Sequence, residues 1–268
     1  MSLPIIRTFG SYQLTQASIK RVAAITGGAQ GLGRAIAQRF GQDGYSLVLC
    51  DVSAPHLERA VTEMSASGLT VQALEVDVSD EASVRRMRAH MEHQFGRLDV
   101  LVNSAGVLGL IDNKAPKVED TPLSVWERVL KVNLTGPFLV CREMVPLMRK
   151  SGAGRIINIA SRAARVRSGD PAYSASKSGL VGFSRVLAGD LAPDGITVNC
   201  IAPSYIPTGL VASMELEGAV AASALNSPLG RIGVPDDIAG AAAFLASKDA
   251  SFITGAIIDV NGGSFMQG

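Results

Sequence analysis

A tyrosine and a lysine, Tyr173 and Lys177, lie four residues apart in the run YSASK. In a helix, side chains four residues apart lie on the same face, one turn from each other. A phenol alone has a pKa of about 10, too high for an efficient base at neutral pH, whereas a neighbouring ammonium favours the phenolate and lowers that pKa. The spacing therefore predicts that Tyr173 transfers a proton, with Lys177 as its electrostatic partner.

A glycine-rich run, Thr26–Gly33 (TGGAQGLG), follows a short aliphatic segment and precedes a helical pattern. Glycines allow a sharp turn and let the backbone approach a ligand closely, because no Cβ obstructs it. The free N–H groups at the start of the next helix favour a bound anion. The run alone also suits an ordinary tight turn, but its place between a first strand and a helix predicts a dinucleotide site.

A carboxylate, Asp51, ends the second predicted strand (SLVLC, residues 46–50). A carboxylate at that place accepts hydrogen bonds from the adenosine ribose hydroxyls of NAD and repels the 2′-phosphate of NADP. No arginine or lysine occupies Gln30 or Val52, where one could hold that phosphate. The sequence therefore favours NAD, with a solvated Asp51 that caps the next helix as the structural alternative.

Strand-like and helix-like segments alternate from about residue 20 to the end of the chain. We predict strands at 22–25, 46–50, 71–76, 100–102, 155–159, 197–201 and 256–260. We predict helices at 32–42, 54–67, 80–95, 123–149, 172–192 and 236–247, with Pro137 and Pro146 as bends in the fourth. Helical crossovers at this spacing indicate an α/β fold, a single-domain Rossmann-type doubly wound parallel sheet of about seven strands with helices on both faces. An N-terminal arm over 1–19 would precede one catalytic domain over 20–268.

In this order, the motifs resemble the short-chain dehydrogenase/reductase family, in its subgroup with TGxxxGxG and YxxxK. The resemblance runs from about Lys20 to Gly263, nearly the whole chain. Its segments are TGGAQGLG, Asp77-Val78, Asn103-Ser104-Ala105-Gly106, Asn133, Ser161, YSASK, Pro203–Thr208 and Asp259–Gly263. The resemblance implies an NAD site formed by Gly27, Gln30, Gly31, Leu32, Gly33, Asp51, Asp77, Val78, Asn103, Ala105, Gly106, Tyr173, Lys177, Pro203, Ile206 and Thr208.

The same resemblance implies a catalytic set of Asn133, Ser161, Tyr173 and Lys177. Ser161 would donate a hydrogen bond to the substrate oxygen, and Tyr173 would accept the alcohol proton in oxidation and return it in reduction. Lys177 would also hold the nicotinamide ribose, and Asn133 would hold a water that connects Lys177 to solvent. The expected activity is the NAD-dependent interconversion of a secondary alcohol (a polyol, a sugar-like or another hydroxy compound) and its ketone.

Three features depart from the family pattern or add to it. Eleven residues separate Ser161 from Tyr173, one fewer than usual, and Ser104 and Ser204 stand where Asn and Gly are common. The short loop carries Arg162, Arg165 and Arg167, which could meet an anionic group on the substrate or form a solvated or subunit-contact loop. The segment 207–230 is predicted to be a mobile lid over the substrate.

Bulk composition excludes several other classes of protein. The net charge of +1 gives no electrostatic footprint for nucleic acid or an anionic membrane surface. No segment approaches 18 consecutive apolar residues, so we expect no membrane span and a cytoplasmic location. The three cysteines, Cys50, Cys141 and Cys200, lie far apart in hydrophobic surroundings, which predicts buried thiols and no metal site. The resemblance implies a homo-oligomer, specifically a tetramer.

Two other functions remain open at this point. A 3-oxoacyl-thioester (acyl carrier protein) reductase shares every catalytic motif but more commonly prefers NADPH. A catalytically inactive cofactor-binding regulator is the second alternative, and the intact Ser161, Tyr173, Lys177 and Asn133 argue against it.

Overall fold

Seven strands form one parallel sheet within the residues that the computed structural model describes, which are 20–167, 169–209 and 226–267. In chain order the strands are β1 (Val22–Thr26), β2 (Ser46–Asp51), β3 (Val71–Glu75), β4 (Val100–Asn103), β5 (Arg155–Ile159), β6 (Thr197–Pro203) and β7 (Ile257–Val260). Their order across the sheet is β3-β2-β1-β4-β5-β6-β7. The predicted α/β class and its doubly wound parallel sheet are confirmed.

The order of the strands creates a crevice between β1 and β4. The chain adds β2 and β3 on one side of β1, then crosses over to place β4 on the other side. Thr26, the last residue of β1, pairs with both Cys50 of β2 and Asn103 of β4. Because the connections leave these two neighbouring strands in opposite directions, their carboxyl ends bound the cleft in which such sheets bind ligands.

Helices cover both faces of the sheet. They are α1 (Gly31–Gln42), α2 (Ala54–Ala66), α3 (Glu81–Gln94), α4 (Leu123–Leu130), α5 (Gly136–Arg149), α6 (Pro171–Leu191) and α7 (Pro235–Ala246). One apolar cluster packs α1, α2 and α7 against one face, and a second packs α3, α5 and α6 against the other. Strands buried on both faces explain why the sequence shows aliphatic runs without alternation.

The helix predicted over 123–149 is interrupted at a place that the sequence analysis did not identify. A π-helical turn, Lys131–Thr135, separates α4 from α5, and the Gly136 amide donates to the Lys131 carbonyl five residues earlier. Pro137 lacks the N–H that an α-helix would direct to the Asn133 carbonyl, so the wider turn precedes it. Pro146, in contrast, lies inside α5 without ending it.

Two predicted segments fall partly or wholly outside the described residues. The arm over 1–19 lies outside them entirely, and 210–225, most of the predicted lid over 207–230, also lies outside them. At the start of α3, the N-cap is Asp80, whose carboxylate accepts hydrogen bonds from the Ala82 and Ser83 amides.

Candidate active site

The glycine-rich turn after β1 is shaped by contacts that leave no room for side chains. Gly27 has φ +63°, and a Cβ there would lie 2.8 Å from the backbone of Ala105. A Cβ on Gly33 would lie 2.2 Å from the Gly27 carbonyl oxygen. Both positions therefore require glycine, and the turn closes against both the start of α1 and the loop that follows β4.

The first turn of α1 begins directly behind this glycine-rich turn. Gln30 is its N-cap in extended conformation, without a side-chain cap from the described residues, and Gly31, Leu32 and Gly33 form the first turn. This first turn contains no acidic residue. Thr208, in the segment after β6, lies close to Gly31, because a Cβ added at Gly31 would be 3.4 Å from the Thr208 Cβ. The uncapped amides and the helix dipole together suit an anionic ligand.

Asp51 lies where the sequence predicted it, at the carboxyl end of β2 and half-buried. Its Oδ2 accepts from the Ala29 amide at 3.3 Å, and its Oδ1 accepts from the Ser53 amide at 3.1 Å. The carboxylate thus joins the glycine-rich turn to the start of α2. Each oxygen retains a lone pair for a further donor.

The loop after β4 lines the opposite wall of the cleft. The Thr26 hydroxyl oxygen accepts from the amides of Ser104 and Ala105 at 3.2 and 3.3 Å, which holds this loop against the end of β1. Asn103 is buried, and its Nδ2 donates to Asn158 Oδ1 at 2.8 Å. Its Oδ1, however, has no hydrogen-bond partner among the described residues.

Asp77 and Val78, expected beside the adenine, follow β3 at the same edge of the sheet. Asp77 is exposed, and its Oδ1 accepts from the amide and hydroxyl of Ser79. Val78 is buried against Gly136 at the start of α5.

At the end of β6, Pro203 is buried in the strand, and Ile206 is buried against Gly233. The structure thus places the predicted cofactor residues along the carboxyl edge of the sheet.

Ser161 lies close enough to Tyr173 for its side chain to affect the pKa of the phenol. Ser161 follows β5 and caps a short 3-10 turn (Arg162–Ala164), and its Oγ accepts from the Ala163 amide at 3.1 Å. Burial raises the pKa of Tyr173, the hydrogen bond from Ser161 lowers it, and the nearby Asp170 charge raises it. The net shift is upward, opposite to the lowering expected from Lys177, because desolvation of the phenolate is the largest effect in the chain alone.

Lys177 is buried on the same face of α6. Its Nζ lies 5.6 Å from the centroid of the Tyr173 ring and donates to the Ile159 carbonyl at 2.7 Å. Burial lowers the pKa of Lys177 to about 8, against a small opposing effect of Cys200. A buried ammonium with one carbonyl partner can donate to further acceptors, since it carries three N–H groups.

Asn133, in the π-helical turn, connects the remaining parts of the site. Its Oδ1 accepts from the Val107 amide at 2.8 Å, and its Nδ2 donates to the Val107 carbonyl at 2.9 Å and to Ser176 Oγ at 3.1 Å. A methyl group added at Gly106 would lie 3.4 Å from Asn133 Oδ1 and 3.7 Å from Lys177 Nζ. Asn133 and Lys177 therefore both lie beside the loop after β4, Tyr173 lies on the same face of α6 as Lys177, and Ser161 lies close to Tyr173.

A nicotinamide dinucleotide fits the residues present. The glycine-rich turn forms a cradle that any Cβ would fill, and the start of α1 offers uncapped amides. The orphaned Asn103 Oδ1 offers an acceptor at the base of the cleft, and Asp51 offers acceptors at its outer end. This donor and acceptor set matches phosphates at the helix and hydroxyl groups at either side.

Asp170, a buried carboxylate at the N-cap of α6, lies outside the motifs that predicted the site. It accepts from the Tyr173 amide at 2.9 Å and from the Gly109 amide at 2.6 Å. The dipeptide Asp170-Pro171 was the available signal, since Asp is favoured at the N-cap and Pro at the first helical position. Its second contact, to Gly109, depends on the tertiary fold.

Arg162 and Arg165 have partners among the described residues. Arg165 pairs with Asp259 Oδ2 at 3.4 Å and stacks over the Phe265 ring at 5.1 Å, and Arg162 donates to the Ser264 carbonyl at 3.3 Å. Arg167 is exposed. The loop after Ser161 is thus fastened to the segment that follows β7.

A cavity of about 490 Å³ opens beside the segment that follows β7, and Ser204, Asp259, Asn261 and Met266 are among its lining residues.

Within the described parts of the chain, no group of three or more His, Cys, Asp or Glu side chains is arranged to hold a metal ion. Over the same residues, no helix combines the length and apolar character that a membrane span requires. All three cysteines are buried and free, in agreement with the prediction.

Comparison with known protein families gives a match over nearly the whole chain. The model of a family described as enoyl-(acyl carrier protein) reductase matches residues 27–264. The chain is 38% identical to BbsD, a subunit of a hydroxy(phenyl)methylsuccinyl-CoA dehydrogenase from Thauera aromatica, over 91% of this chain and 96% of the relative. It is also 38% identical to D-threitol dehydrogenase from Mycolicibacterium smegmatis, over 91% of this chain and 92% of that enzyme.

A solved structure shares the fold. The crystal structure of gox2181 superposes with a TM-score of 0.86 at 34% identity, over 91% of this chain and 95% of that one. Each of these similarities spans both the glycine-rich turn and the site around Tyr173.

Proposed function

The chain belongs to the short-chain dehydrogenase/reductase family, and we propose that it is a cytoplasmic NAD(H)-dependent enzyme that interconverts a secondary alcohol and its ketone. The alcohol would be a polyol, a sugar-like compound or another small hydroxy compound. The relation to D-threitol dehydrogenase supports a hydroxyl-bearing substrate of this kind. The family membership supports an oxidoreductase, and the residues of this chain support the finer assignment.

One observation carries the proposal: the side chains of Ser161 and Tyr173 lie close together beside a buried lysine, next to a cleft that fits a dinucleotide. The Ser161 side chain hydrogen-bonds with the phenol closely enough to affect its pKa, and Lys177 Nζ lies 5.6 Å from the centroid of the phenol ring. The Gly27 turn and the orphaned Asn103 Oδ1 bound the same cleft. A proton-transfer group and a cofactor cleft in one place are the two parts that alcohol oxidation requires.

When bound, the nicotinamide would supply the hydride acceptor for oxidation and the hydride donor for reduction. The Ser161 hydroxyl would hold the substrate oxygen, and the Tyr173 hydroxyl would take the alcohol proton in oxidation and return it in reduction. The Lys177 ammonium would favour the phenolate and hold a ribose hydroxyl of the cofactor. Asn133 fixes the Val107 backbone beside Lys177, and we propose that it also holds a water through which Lys177 exchanges protons with solvent.

Oxidation and reduction should show opposite pH dependences, because Tyr173 acts as a base in one and as an acid in the other. Oxidation needs the phenolate, so its rate should rise with pH until Tyr173 is deprotonated, whereas reduction needs the phenol and should fall over the same range. Measuring kcat in both directions against pH checks this expectation. Parallel profiles would contradict Tyr173 as the titrating group.

A thioester-linked substrate is the second candidate, and one comparison favours it. BbsD is named for a CoA thioester of a hydroxy acid, and a reductase of 3-oxoacyl thioesters would use the same site. The preference for NADPH that is common among such reductases conflicts with Asp51 at the end of β2. Steady-state kinetics with free hydroxy compounds and their CoA thioesters, each with NAD⁺ and NADP⁺, would separate the two.

The main test is a screen of secondary alcohols with NAD⁺, with the appearance of NADH followed by its absorbance. Tyr173→Phe is the negative control, because it removes the hydroxyl that transfers the proton while keeping the ring. We expect kcat to fall by about 10²–10⁴-fold, the usual contribution of a general acid/base. A confirmed substrate that Tyr173→Phe turns over at the wild-type rate would refute the mechanism.

We further propose that the protein assembles as a homotetramer. The outer faces of α5 and α6 expose apolar side chains, with Phe138 44% and Val186 64% exposed, and Phe138 meets Phe183 edge to face. Contiguous exposed apolar groups of this kind indicate a contact surface. Light scattering should give four times the chain mass, and a monomer at micromolar concentration would contradict the assignment.

A further inference from the structure

A closed ring of hydrogen bonds surrounds the backbone on both sides of Tyr173. Asp170 accepts from the Tyr173 amide, and Ser176 Oγ donates to the Tyr173 carbonyl at 2.7 Å. Asn133 Nδ2 donates to Ser176 Oγ, and both polar atoms of Asn133 bind the Val107 backbone. The ring closes through the loop after β4, because Asp170 also accepts from Gly109, two residues after Val107.

We propose that Asp170 is a positioning residue, which holds the start of α6 and the Val107–Gly109 loop at a fixed distance on the substrate side of Tyr173. This role deepens the proposed function and rests on it. Asp170 touches neither substrate nor cofactor in this assignment; it acts through the two backbone amides that it binds.

The geometry of Asp170 goes beyond that of an ordinary helix cap. Its side chain is buried, and its two oxygens bind amides from two separate segments, at 2.9 Å to Tyr173 and at 2.6 Å to Gly109. An ordinary cap such as Asp80 accepts from the Ala82 and Ser83 amides of its own helix, and its ion-pair partner Arg86 belongs to that helix as well. Hydrogen bonds to a carboxylate are among the strong ones, so a bridge of two such bonds resists displacement of either segment.

The bridge that Asp170 forms between the Tyr173 and Gly109 amides requires a glycine at position 109. A Cβ at Gly109 would lie 2.8 Å from Asp170 Oδ1 and 3.1 Å from Oδ2, so any other residue would push the loop and the carboxylate apart. On the other side, Arg128 donates to the Leu108 carbonyl at 3.0 Å. Three consecutive residues of the loop, Val107–Gly109, are therefore each held by a side chain from a different part of the chain.

The charge of Asp170 also acts on the tyrosine. Within the described residues, the charged groups facing Tyr173 are Asp170 and Lys177 of α6, with the neutral Ser161 hydroxyl opposite them. Cys200 of β6 faces Lys177, and burial raises the pKa of its thiol, which keeps it neutral. Because the carboxylate opposes loss of the phenol proton, Asp170 favours the form of Tyr173 that donates.

The test compares Asp170→Ser and Asp170→Asn with the wild type and with Asp80→Ser and Asp80→Asn as matched controls. Serine still caps Tyr173 but is too short to reach Gly109, whereas asparagine keeps the size and loses the charge. For Asp170→Ser we expect kcat to fall about ten- to hundredfold with little change in the KM for the cofactor, as for a small misplacement of a reacting group. For Asp170→Asn we expect the pH profile of oxidation to move to lower pH, and for the Asp80 variants we expect only lower stability.

A double-mutant cycle with Gly109→Ala tests the bridge from its other end. Gly109→Ala should impair kcat strongly in the wild type and much less in Asp170→Ser, because the clash partner has gone. Hydrogen exchange of the segment 104–114 supplies a readout that needs no substrate, and Asp170→Ser should accelerate it while Asp80→Ser should not.

The outcomes separate this inference from the proposed function. If Asp170→Ser and Asp170→Asn leave kcat, the pH profile and the exchange of 104–114 unchanged, Asp170 is only a helix cap and the inference is overturned. If Tyr173→Phe retains full turnover, the proposed function fails instead, whatever the exchange data show.

Discussion

The buried polar side chains at the two ends of strand β4 differ in whether their hydrogen-bonding atoms have partners. Asp99, just before the strand, binds the Val22 amide at 2.8 Å through Oδ2, and both of its oxygens bind the Arg97 guanidinium. Asn103, the last residue of the strand, is equally buried, yet its Oδ1 has no partner among the described residues. Four residues of sequence thus separate a saturated carboxylate from an orphaned amide oxygen.

Other parts of the carboxyl edge of the sheet also carry groups suited to a ligand or a reaction. At the carboxyl edge lie the turn closed by Gly27 and Gly33, the buried Lys177 ammonium and a phenol whose pKa is raised by burial. Unsatisfied polar atoms and buried charges cost stability, so a fold retains them where a ligand or a reaction needs them. We infer that the amino end of β4 stabilises the fold, and we propose that its carboxyl end serves the reaction.

The largest effect that sharpens this comparison is expected at Lys177. Lys177→Met should lower kcat at least about a hundredfold, because the phenolate loses its cationic partner. Burial lowers the pKa of Lys177 from 10.5 to about 8, a difference worth roughly 3 kcal/mol against the folded state. The variant also loses the hydrogen bond to the Ile159 carbonyl, which offsets part of this gain. We therefore expect the free energy of unfolding of Lys177→Met at pH 7 to exceed that of the wild type by about 1–2 kcal/mol.

The pH dependence of this stability difference between Lys177→Met and the wild type follows from the lowered pKa of Lys177. Below pH 8 the wild type carries the buried charge in full, so the stability difference is complete there. Between pH 8 and 10.5 the folded lysine is neutral while the unfolded one still binds a proton, so the difference fades. Urea unfolding at pH 7 and pH 10 measures this, with Lys150→Met as control, an exposed lysine paired with Glu92. A Lys177→Met variant less stable than the wild type at pH 7 would break the comparison.

The sequence predicted the sheet because its signals are local. β1 and its glycine-rich turn are adjacent in the chain, and the strands are short segments rich in aliphatic residues. Parallel order then follows from helical crossovers of this length. The residues around Tyr173 were predicted from a pattern of motifs, and the structure brings them together, although their roles remain proposals.

The structural features that the sequence did not predict depend on contacts between distant segments. The π-helical turn at Asn133 arises where Pro137 removes a helical donor, which predicted a bend but not its kind or place. The Gly109 contact of Asp170 spans 61 residues and has no local signature. The direction of the Tyr173 pKa shift also required the structure, because burial, its largest cause, raises the pKa and the hydrogen bond from Ser161 lowers it by less.

A smaller effect, confined to stability, is expected at the amino end of β4. Asp99→Asn keeps the shape but can no longer accept from both Val22 and Arg97 with full charge. We expect the free energy of unfolding to fall by about 1–3 kcal/mol, the usual cost of leaving a buried polar group unsatisfied. Chemical denaturation measures the loss, and kcat and KM should remain at wild-type values. A marked loss of turnover in a folded Asp99→Asn protein would show that the two ends are not functionally separate.

The last effect concerns which cofactor the carboxyl edge accepts. Asp51 would repel the 2′-phosphate of NADP, and two charges about 4 Å apart at an effective dielectric constant of about 20 interact by roughly 4 kcal/mol. Asp51 is half-buried, so solvent screens this repulsion, and we expect Asp51→Asn to narrow the preference for NAD⁺ over NADP⁺ only about ten- to hundredfold. The ratio of kcat/KM for the two cofactors measures it, with Asp43→Asn as control, since Asp43 lies beyond the far end of the 12-residue α1. Because the effect is electrostatic, raising the salt concentration should reduce the wild-type preference for NAD⁺ and leave that of Asp51→Asn nearly constant. If Asp51→Asn has the wild-type ratio of kcat/KM at low salt, Asp51 does not select the cofactor.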